Sequence, residues 1–458
     1  MKNMTLGNIA KACGGELVLN GADASAEIAG AVIDSRLVKE NYLFFATKGE
    51  RVDGHNYIAK AFESGAILAV CEHIPEGVKG ACIVVEDTFV ALKQIARFYR
   101  ESLDIKVVGI TGSVGKTSTK EFIASVLAQK YKVLKTEGNF NNEVGLPLTV
   151  LKIRDEHEVA VLEMGISDFG EMTRLSEIAQ PDVCVITNIG QCHLEQLGDR
   201  DGVLKAKTEV FGNLKEGGIA CLFAEDDKLA GIKEVNGKKP IFYGMKDADE
   251  VYASDVKNKG LLGSECVIHA GEMKIDAQIP LPGKHMVYNA LAATAVGKTM
   301  ELTAEEIERG IRSVEAVSGR SHIIKTSEYT IIDDCYNANP VSMKAAIDLL
   351  GEAITRKVAI LGDMFELGEN EKALHYGVGE YAAAKQADVL ICVGSLSEET
   401  YRGAAECADK NRAMELYHFA TLEECKKGVS ALLKQGDAIL IKASHGMHFT
   451  ELVELIRQ

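Results

Sequence analysis

An α/β fold in three domains is predicted by three observations. The chain has 458 residues, which corresponds to roughly three domains of about 150 residues. Short apolar runs of strand character alternate with helical stretches, the pattern of mostly parallel sheets covered on both faces. A phosphate-cradling turn stands between one such strand and the helix that follows it.

Residues 1–85 mix short strands and helices and form the first expected domain. Residues 86–316 form the second, with strands expected at Lys106–Ile110, Tyr131–Lys135, Val159–Glu163, Val183–Asn188 and Ile219–Phe223. Residues 317–458 form the third, with strands at Thr330–Asp334, Lys357–Leu361, Val389–Val393 and Ala438–Lys442. Hydrophobic residues make up 47% of the chain and there are only 7 prolines, so it is well cored with little linker. No apolar run of about 18 residues occurs, and the first residues lack a signal-peptide core, so a cytoplasmic protein without a transmembrane segment is expected. The 11 cysteines include no C-x-x-C pair and read as reduced, buried thiols. A net charge of −16 argues against a nucleic-acid surface. Anionic ligands must then be met by local basic groups and backbone N–H donors.

The motif is Thr111-Gly112-Ser113-Val114-Gly115-Lys116-Thr117. It follows the run Lys106–Ile110 and precedes Ser118 to Lys130, where Phe122, Ile123, Val126 and Leu127 repeat at helical spacing. A strand, a glycine turn and a helix start gather backbone N–H groups around one anion, and the helix dipole adds to the attraction. Lys116 is expected to reach the outer phosphates of ATP or GTP, and the Thr117 hydroxyl to hold Mg²⁺. Ile110 stands where the longer phosphate-loop pattern has glycine.

Sheets of this kind bind ligands beyond the carboxyl ends of their strands, so the residues after each strand carry the information. Glu163 ends one strand and has the charge to bind Mg²⁺ beside Thr117, with a capping or salt-bridged role as the alternative. His193 follows the strand Val183–Thr187, as a ligand or as a satisfied structural histidine. Lys207 lies on the helical face of Val203, Val210, Phe211 and Leu214. Burial there lowers its pKa, and a neutral amine can take up CO₂ to form a carbamate; a lysine snorkelling to the helix edge or paired with a carboxylate is the alternative. Arg320 is placed to form a salt bridge or to reach a phosphate between domains. In Asp333-Asp334-Cys335-Tyr336-Asn337-Ala338-Asn339-Pro340, Asn339 reads as an N-cap with Pro340 in the first helical position, and a carboxylate after the strand suits ribose hydroxyls.

Taken together, these residues resemble the Mur ligases of peptidoglycan synthesis across essentially the whole chain. The family writes its ATP site as Thr-Gly-x-x-Gly-Lys-Thr, which accounts for Ile110. Glu163, His193 before Leu194-Glu195, Lys207 after Ala206, Asn289 and Arg320 fall on family motifs. Gly138-Asn139-Phe140-Asn141-Asn142, the Asp333–Pro340 segment and Leu361-Gly362-Asp363-Met364-Phe365-Glu366-Leu367-Gly368, followed by His375, resemble the family branch that adds D-alanyl-D-alanine to UDP-N-acetylmuramoyl-tripeptide. The segments Asp34-Ser35-Arg36 and Thr47-Lys48-Gly49-Glu50-Arg51-Val52-Asp53-Gly54-His55 resemble its UDP-sugar-binding module. One site departs: the family's Lys-Gly-Ser-Arg reads Lys442-Ala443-Ser444-His445, which replaces an always-charged fork by a largely neutral imidazole.

The resemblance implies a UDP-sugar-binding domain, a central phosphate-loop ATPase-like domain and a carboxy-terminal Rossmann-like domain. It implies ATP and Mg²⁺ as cofactors, UDP-N-acetylmuramoyl-tripeptide and D-alanyl-D-alanine as substrates, and action as a monomer. Lys116, Lys207 and His193 become the catalytic candidates. Thr111, Gly112, Ser113, Val114, Gly115, Lys116, Thr117, Asn289, Arg320 and Asp334 become the ATP-binding ones. Substrate contacts are expected from Ser35, Arg36, Thr47, Asp53, His55, Asn139, Asn141, Asn142, Tyr336 and Asn337. Metal contacts are expected from Thr117, Glu163, His193 and, once carbamylated, Lys207. No cysteine is given a role. A sibling ligase, a folylpolyglutamate-type synthetase and a non-catalytic nucleotide switch are the alternatives; a switch has no use for Lys207 on a core face.

Overall fold

The computed structural model describes residues 1–50, 52–385, 387–407 and 414–457. Arg51, within the segment likened to a UDP-sugar module, lies outside them. Three sheets follow one another along the chain, as the three runs of alternating elements require.

The first contains β1 (Glu16–Val18), β2 (Gly30–Val32), β3 (Tyr42–Phe45), β4 (Ala66–Cys71) and β5 (Ala81–Val84), in the order β1-β5-β4-β3-β2. The central sheet has nine strands: β6 (Lys106–Thr111), β7 (Val133–Lys135), β8 (Val159–Glu163), β9 (Val183–Ile186), β10 (Ile219–Phe223), β11 (Ile241–Gly244), β12 (Val251–Asn258), β13 (Ser264–Ala270) and β14 (Met273–Ile279). Its order is β14-β13-β12-β11-β10-β9-β6-β8-β7. The pairs from β7 through β12 are parallel and β12-β13-β14 is an antiparallel extension. The third sheet holds β15 (His322–Lys325), β16 (Thr330–Asp333), β17 (Lys357–Gly362), β18 (Val389–Val393), β19 (Glu415–Phe419) and β20 (Ala438–Lys442), in the order β15-β16-β20-β17-β18-β19.

The central strands are apolar on both faces, β8 and β9 being buried at every residue, because helices cover both sides. One face packs Val108 and Ile110 against Phe122, Ile123 and Val126 of the helix Lys116–Leu127 and Val287 and Leu291 of the helix Lys284–Thr299. Each such fully buried side chain contributes about 1.5–3 kcal/mol. On the opposite face Leu162 joins Leu92 and Ile95 of the helix Thr88–Glu101, and this core runs on to Leu43 and Leu68 of the first sheet. That helix is shared between the two layers.

The chain leaves β6 for the outer strand β7, returns to β8, then crosses to β9 on the other side of β6. The order reverses at β6, so the turn after it opens at the switch point where such sheets bind ligands. The expected strand Val183–Asn188 stops at Ile186, which frees Thr187 and Asn188 to pack on that turn. The helix expected from Ser118 begins two residues earlier, at Lys116, since Gly115 supplies a left-handed N-cap with φ of 82°. Among the described residues no helix is long and apolar enough to cross a membrane.

Candidate active site

The turn after β6 is built for glycine. Gly112 has φ of 142°, and a Cβ there would sit 1.9 Å from Thr187 Oγ1, so any side chain collides with the residue that follows β9. Asn188 clamps the turn: its carbonyl accepts from Ser113 N at 3.1 Å and its Oδ1 from Val114 N at 3.0 Å. Thr187 Oγ1 and Asn188 Nδ2 donate to Val114 O at 2.6 and 3.0 Å. Lys116 Nζ donates to Gly112 O at 2.9 Å, so its ammonium lies over the cradle. Burial lowers its pKa, opposed by the Glu163 charge.

Thr117 and Glu163, 46 residues apart, meet because β8 lies beside β6: the Thr117 hydroxyl donates to Glu163 Oε2 at 3.0 Å. Asn141 Nδ2 donates to the other carboxylate oxygen at 2.8 Å. The capping alternative for Glu163 therefore does not hold. Arg320 Nη2 donates to Thr117 Oγ1 at 3.4 Å, and its guanidinium lies 3.9 Å from the centre of the Tyr336 ring. These residues fit Mg²⁺. A hydroxyl and a carboxylate are hard oxygen donors, and Mg²⁺ takes few protein ligands when phosphates and water supply the rest. The nearby Thr111 hydroxyl is buried without a hydrogen-bond partner. Among the described residues no group of three or more His, Cys, Asp and Glu could hold a metal.

Lys207 is buried at 1% exposure on the helix Arg200–Thr208, and among the described residues its ammonium has no hydrogen bond or ion pair. It neither reaches the solvent-exposed edge of the helix nor pairs with a carboxylate among the described residues. Burial lowers its pKa to about 8; Cys192 opposes that shift, and Lys116 adds to it. Lys207 stands behind the cavity wall, close enough to His193 for its charge to depress the histidine, whose pKa falls chiefly through burial. His193 has a left-handed φ of 50° and pairs through Nδ1 with Glu366 Oε2 at 3.0 Å, across the cleft.

The opposite wall comes from the third sheet. Asp334 Oδ1 accepts from Ser321 N at 2.9 Å. Lys442 Nζ donates to Asp334 Oδ2 at 2.7 Å, to Asp334 O at 3.3 Å and to Asn337 O at 2.8 Å. At the sequence departure, His445 lies against Tyr336 with ring centres 5.4 Å apart, and Lys442 is a clamp on the Asp334–Asn337 turn. Asn289, buried at the cavity, accepts from Thr119 Oγ1 at 3.0 Å. Asn339 caps the helix Pro340–Gly351 in a capping box with Ser342, as read from the sequence.

A cavity of about 990 Å³ joins these walls. Of the sequence candidates, Ser113, Val114, Gly115, Lys116, Thr117, Glu163, His193, Asn289, Arg320 and Asp334 line it. So do Asn139, Asn141, Asn142, Tyr336 and Asn337. Thr111 and Gly112 lie beneath it. Ser35, Arg36, Thr47, Asp53 and His55 do not line it and belong to the first sheet's surroundings. There Arg36 is exposed and paired with Asp34 at 2.6 Å, Ser35 is buried, and Thr47 O accepts from Gly54 N at 2.9 Å. His55 Nδ1 meets Asp53 at 2.6 Å, and its Nε2 accepts from Glu72 N at 2.9 Å. Sequence reasoning missed Thr187, Asp226, Arg200 and Glu366 as cavity residues, while Asn188, which follows the same strand as His193, lines the cavity with them. Thr187, Asn188 and Asp226 follow strands, the signal already in use; Arg200 carries none.

A phosphate cradle at a sheet's switch point, faced across one cavity by a second α/β unit that sends an arginine to it, defines an enzyme that activates substrates with a nucleoside triphosphate. The chain belongs to the Mur ligase family: residues 27–101 match the Mur ligase family catalytic domain, 110–297 the Mur ligase middle domain and 319–445 the Mur ligase glutamate ligase domain. It is 38% identical to the UDP-N-acetylmuramoyl-tripeptide--D-alanyl-D-alanine ligase of Bacillus subtilis, over 99% of this chain and 98% of that one. It superposes on a MurF structure from Acinetobacter baumannii with a TM-score of 0.90 at 32% identity, covering 99% of both chains. A Thermotoga maritima MurF in complex with ADP gives a TM-score of 0.81 at 29% identity, covering 93% of this chain and 97% of that one.

Proposed function

We propose that the chain is an ATP-dependent, ADP-forming ligase that joins D-alanyl-D-alanine to UDP-N-acetylmuramoyl-tripeptide, a step of peptidoglycan precursor synthesis serving cell-wall biogenesis, cell shape and division. The convergence of Lys116, Thr117, Glu163 and Arg320 at one end of a cavity walled on its far side by the third unit carries this reading, in a chain so similar to ligases of that name.

The tripeptide's terminal carboxylate attacks the γ-phosphorus of ATP, forming an acyl phosphate as the bond to ADP breaks. The dipeptide amine then attacks that carbonyl, and the tetrahedral adduct expels inorganic phosphate. Two anions meet in the first step, so cations must offset the charge of the transferring group. Lys116 contacts the outer phosphates, and Arg320, held flat by Tyr336, reaches them from the facing unit. Thr117 and Glu163 would hold Mg²⁺, which supplies further charge neutralisation on the phosphates. His193 and a carbamate on Lys207 would hold a second ion. Asn289 contacts adenine. Asp334 meets the ribose through the lone pairs that Lys442 and Ser321 leave free. Asn139, Asn141, Asn142, Tyr336 and Asn337 line the space for the reacting peptide end, while Ser35, Arg36, Thr47, Asp53 and His55 bind the distant uridine diphosphate. Closure of the third unit over the cavity would keep water from the acyl phosphate. Domain limits near residues 85 and 316 suit this division of labour.

The cavity is complete within one chain, which supports a monomer, and the nucleotide-linked substrates support a cytoplasmic site. Phosphate release from ATP, measured with each substrate omitted in turn, tests the proposal. Release that depends on both the UDP-linked tripeptide and the dipeptide is expected; release indifferent to them overturns it.

A further inference from the structure

Lys116, Arg320 and the backbone donors of the turn suit the cavity to phosphates, yet the ligase reading requires it to admit an amine that arrives as an ammonium. Four acidic residues line it: Glu163, Asp226, Asp334 and Glu366. Three are committed elsewhere. Glu163 takes Thr117 and Asn141. Asp226 takes Ile189 N at 2.7 Å and, through its other oxygen, Lys228 N and Leu229 N. Asp334 takes Ser321 N and Lys442.

Glu366 differs on each count. Its side chain is 66% exposed and its one polar partner among the described residues is His193 Nδ1, whereas a carboxylate can accept about four hydrogen bonds. The loop that carries it is clamped residue by residue. Asp363 Oδ1 accepts from Ser397 N at 2.7 Å, Met364 N donates to the buried His375 Nε2 at 2.8 Å, and Phe365 N donates to Ser444 Oγ at 2.9 Å. Glu366 then turns into the left-handed region, with φ of 61°. A non-glycine residue held there is strained and persists only where its surroundings impose it. The tethers on the three preceding residues impose it here, and the result is a carboxylate projected into the cavity.

We propose that Glu366 is the docking residue for the α-ammonium of the incoming dipeptide, with His193 occupying one of its oxygens. The assignment rests on the ligase reading above and concerns binding alone. It explains why a carboxylate is presented, under strain, on the wall facing the phosphate cradle.

The test uses the full chain and Glu366→Gln, which keeps the shape and removes the charge. Hydroxylamine, uncharged at neutral pH, traps the acyl phosphate made from ATP and the UDP-linked tripeptide without dipeptide. The variant is expected to raise the KM for D-alanyl-D-alanine about 10- to 100-fold, the effect of losing a charged hydrogen bond. The KM values for ATP and UDP-tripeptide, and the hydroxamate yield, stay within about twofold. Glu366→Asp recovers part of the dipeptide affinity. Inhibition by D-lactoyl-D-alanine, which carries hydroxyl in place of the ammonium, is equal in wild type and Glu366→Gln. A dipeptide KM unchanged in Glu366→Gln overturns the assignment, as does a parallel shift of all three KM values and the trap yield. Absence of hydroxamate from the wild-type protein overturns the ligase reading and this assignment with it.

Discussion

Lys207 and Lys442 approach the same centre from opposite units, both buried, and they are held in opposite ways. Lys442 ends β20 with three oxygen acceptors around its ammonium. Lys207 sits on an apolar helix face with none among the described residues, and burial drives it toward the neutral amine, at a pKa of about 8. A third buried lysine, Lys120, follows the first pattern, donating to Thr136 O at 2.7 Å. Burial of a lysine is therefore not itself a mark of chemistry. The missing partner is, because an unpaired buried ammonium costs several kcal/mol that no structural role recovers.

The largest effect that would break this contrast is on turnover. Lys207→Ala is expected to lower kcat by about 10³-fold, the scale of losing one electrostatic contributor in a dry site, with thermal stability unchanged or raised. Acetate or formate should restore part of the rate by standing in for the carbamate. A variant with near wild-type kcat would make Lys207 an ordinary core residue.

Lys442→Met should do the reverse. Removing one partner of a buried pair leaves Asp334 uncompensated and costs about 3 kcal/mol, measured as a lower urea midpoint for unfolding of the third unit. Asp334→Asn in the same chain should recover much of that loss. Equal midpoints for Lys442→Met and Lys207→Met would erase the distinction.

The same contrast separates what could be read from the chain from what could not. The strands β8, β10, β18 and β20 were placed to the residue, because parallel strands buried on both faces are continuous apolar runs. The antiparallel extension β12-β13-β14 was not anticipated, although β13 alternates buried and half-buried residues along its length. The phosphate cradle and Glu163 follow from spacing and strand ends, which are local. Lys207's lack of a partner was beyond reach, since no pattern states which side chains fold back on a lysine. Glu366 lay within a segment noted for its likeness to relatives, but its role depends on three tethers from residues 375, 397 and 444. Contacts of that range leave no periodic trace.

A smaller effect sharpens the chemistry of Lys207 without activity. Its pKa is lowered from 10.5 to about 8, so below that pH the amine is protonated and cannot take up CO₂. At fixed ¹³C-bicarbonate, a carbamate resonance assigned to Lys207 should climb through pH 8 and level above it. An exposed lysine would continue to climb to roughly pH 10. The resonance should be absent from Lys207→Ala.

The smallest effect concerns a cation of a third kind. Arg36 is exposed and its guanidinium is held by Asp34 two residues away, a pair whose side-chain hydrogen bonds hold the aspartate pKa at about 2. Exposed pairs of this sort add little to stability, so Arg36→Ala should leave the thermal midpoint unchanged. If the arginine waits for a diphosphate, the same variant should raise the KM for UDP-linked tripeptide about tenfold and leave that for ATP alone. Loss of stability without loss of affinity would make the Asp34–Arg36 pair a fold element. Loss of affinity alone places the anchoring of the nucleotide-linked substrate far from the two buried lysines, in the first unit.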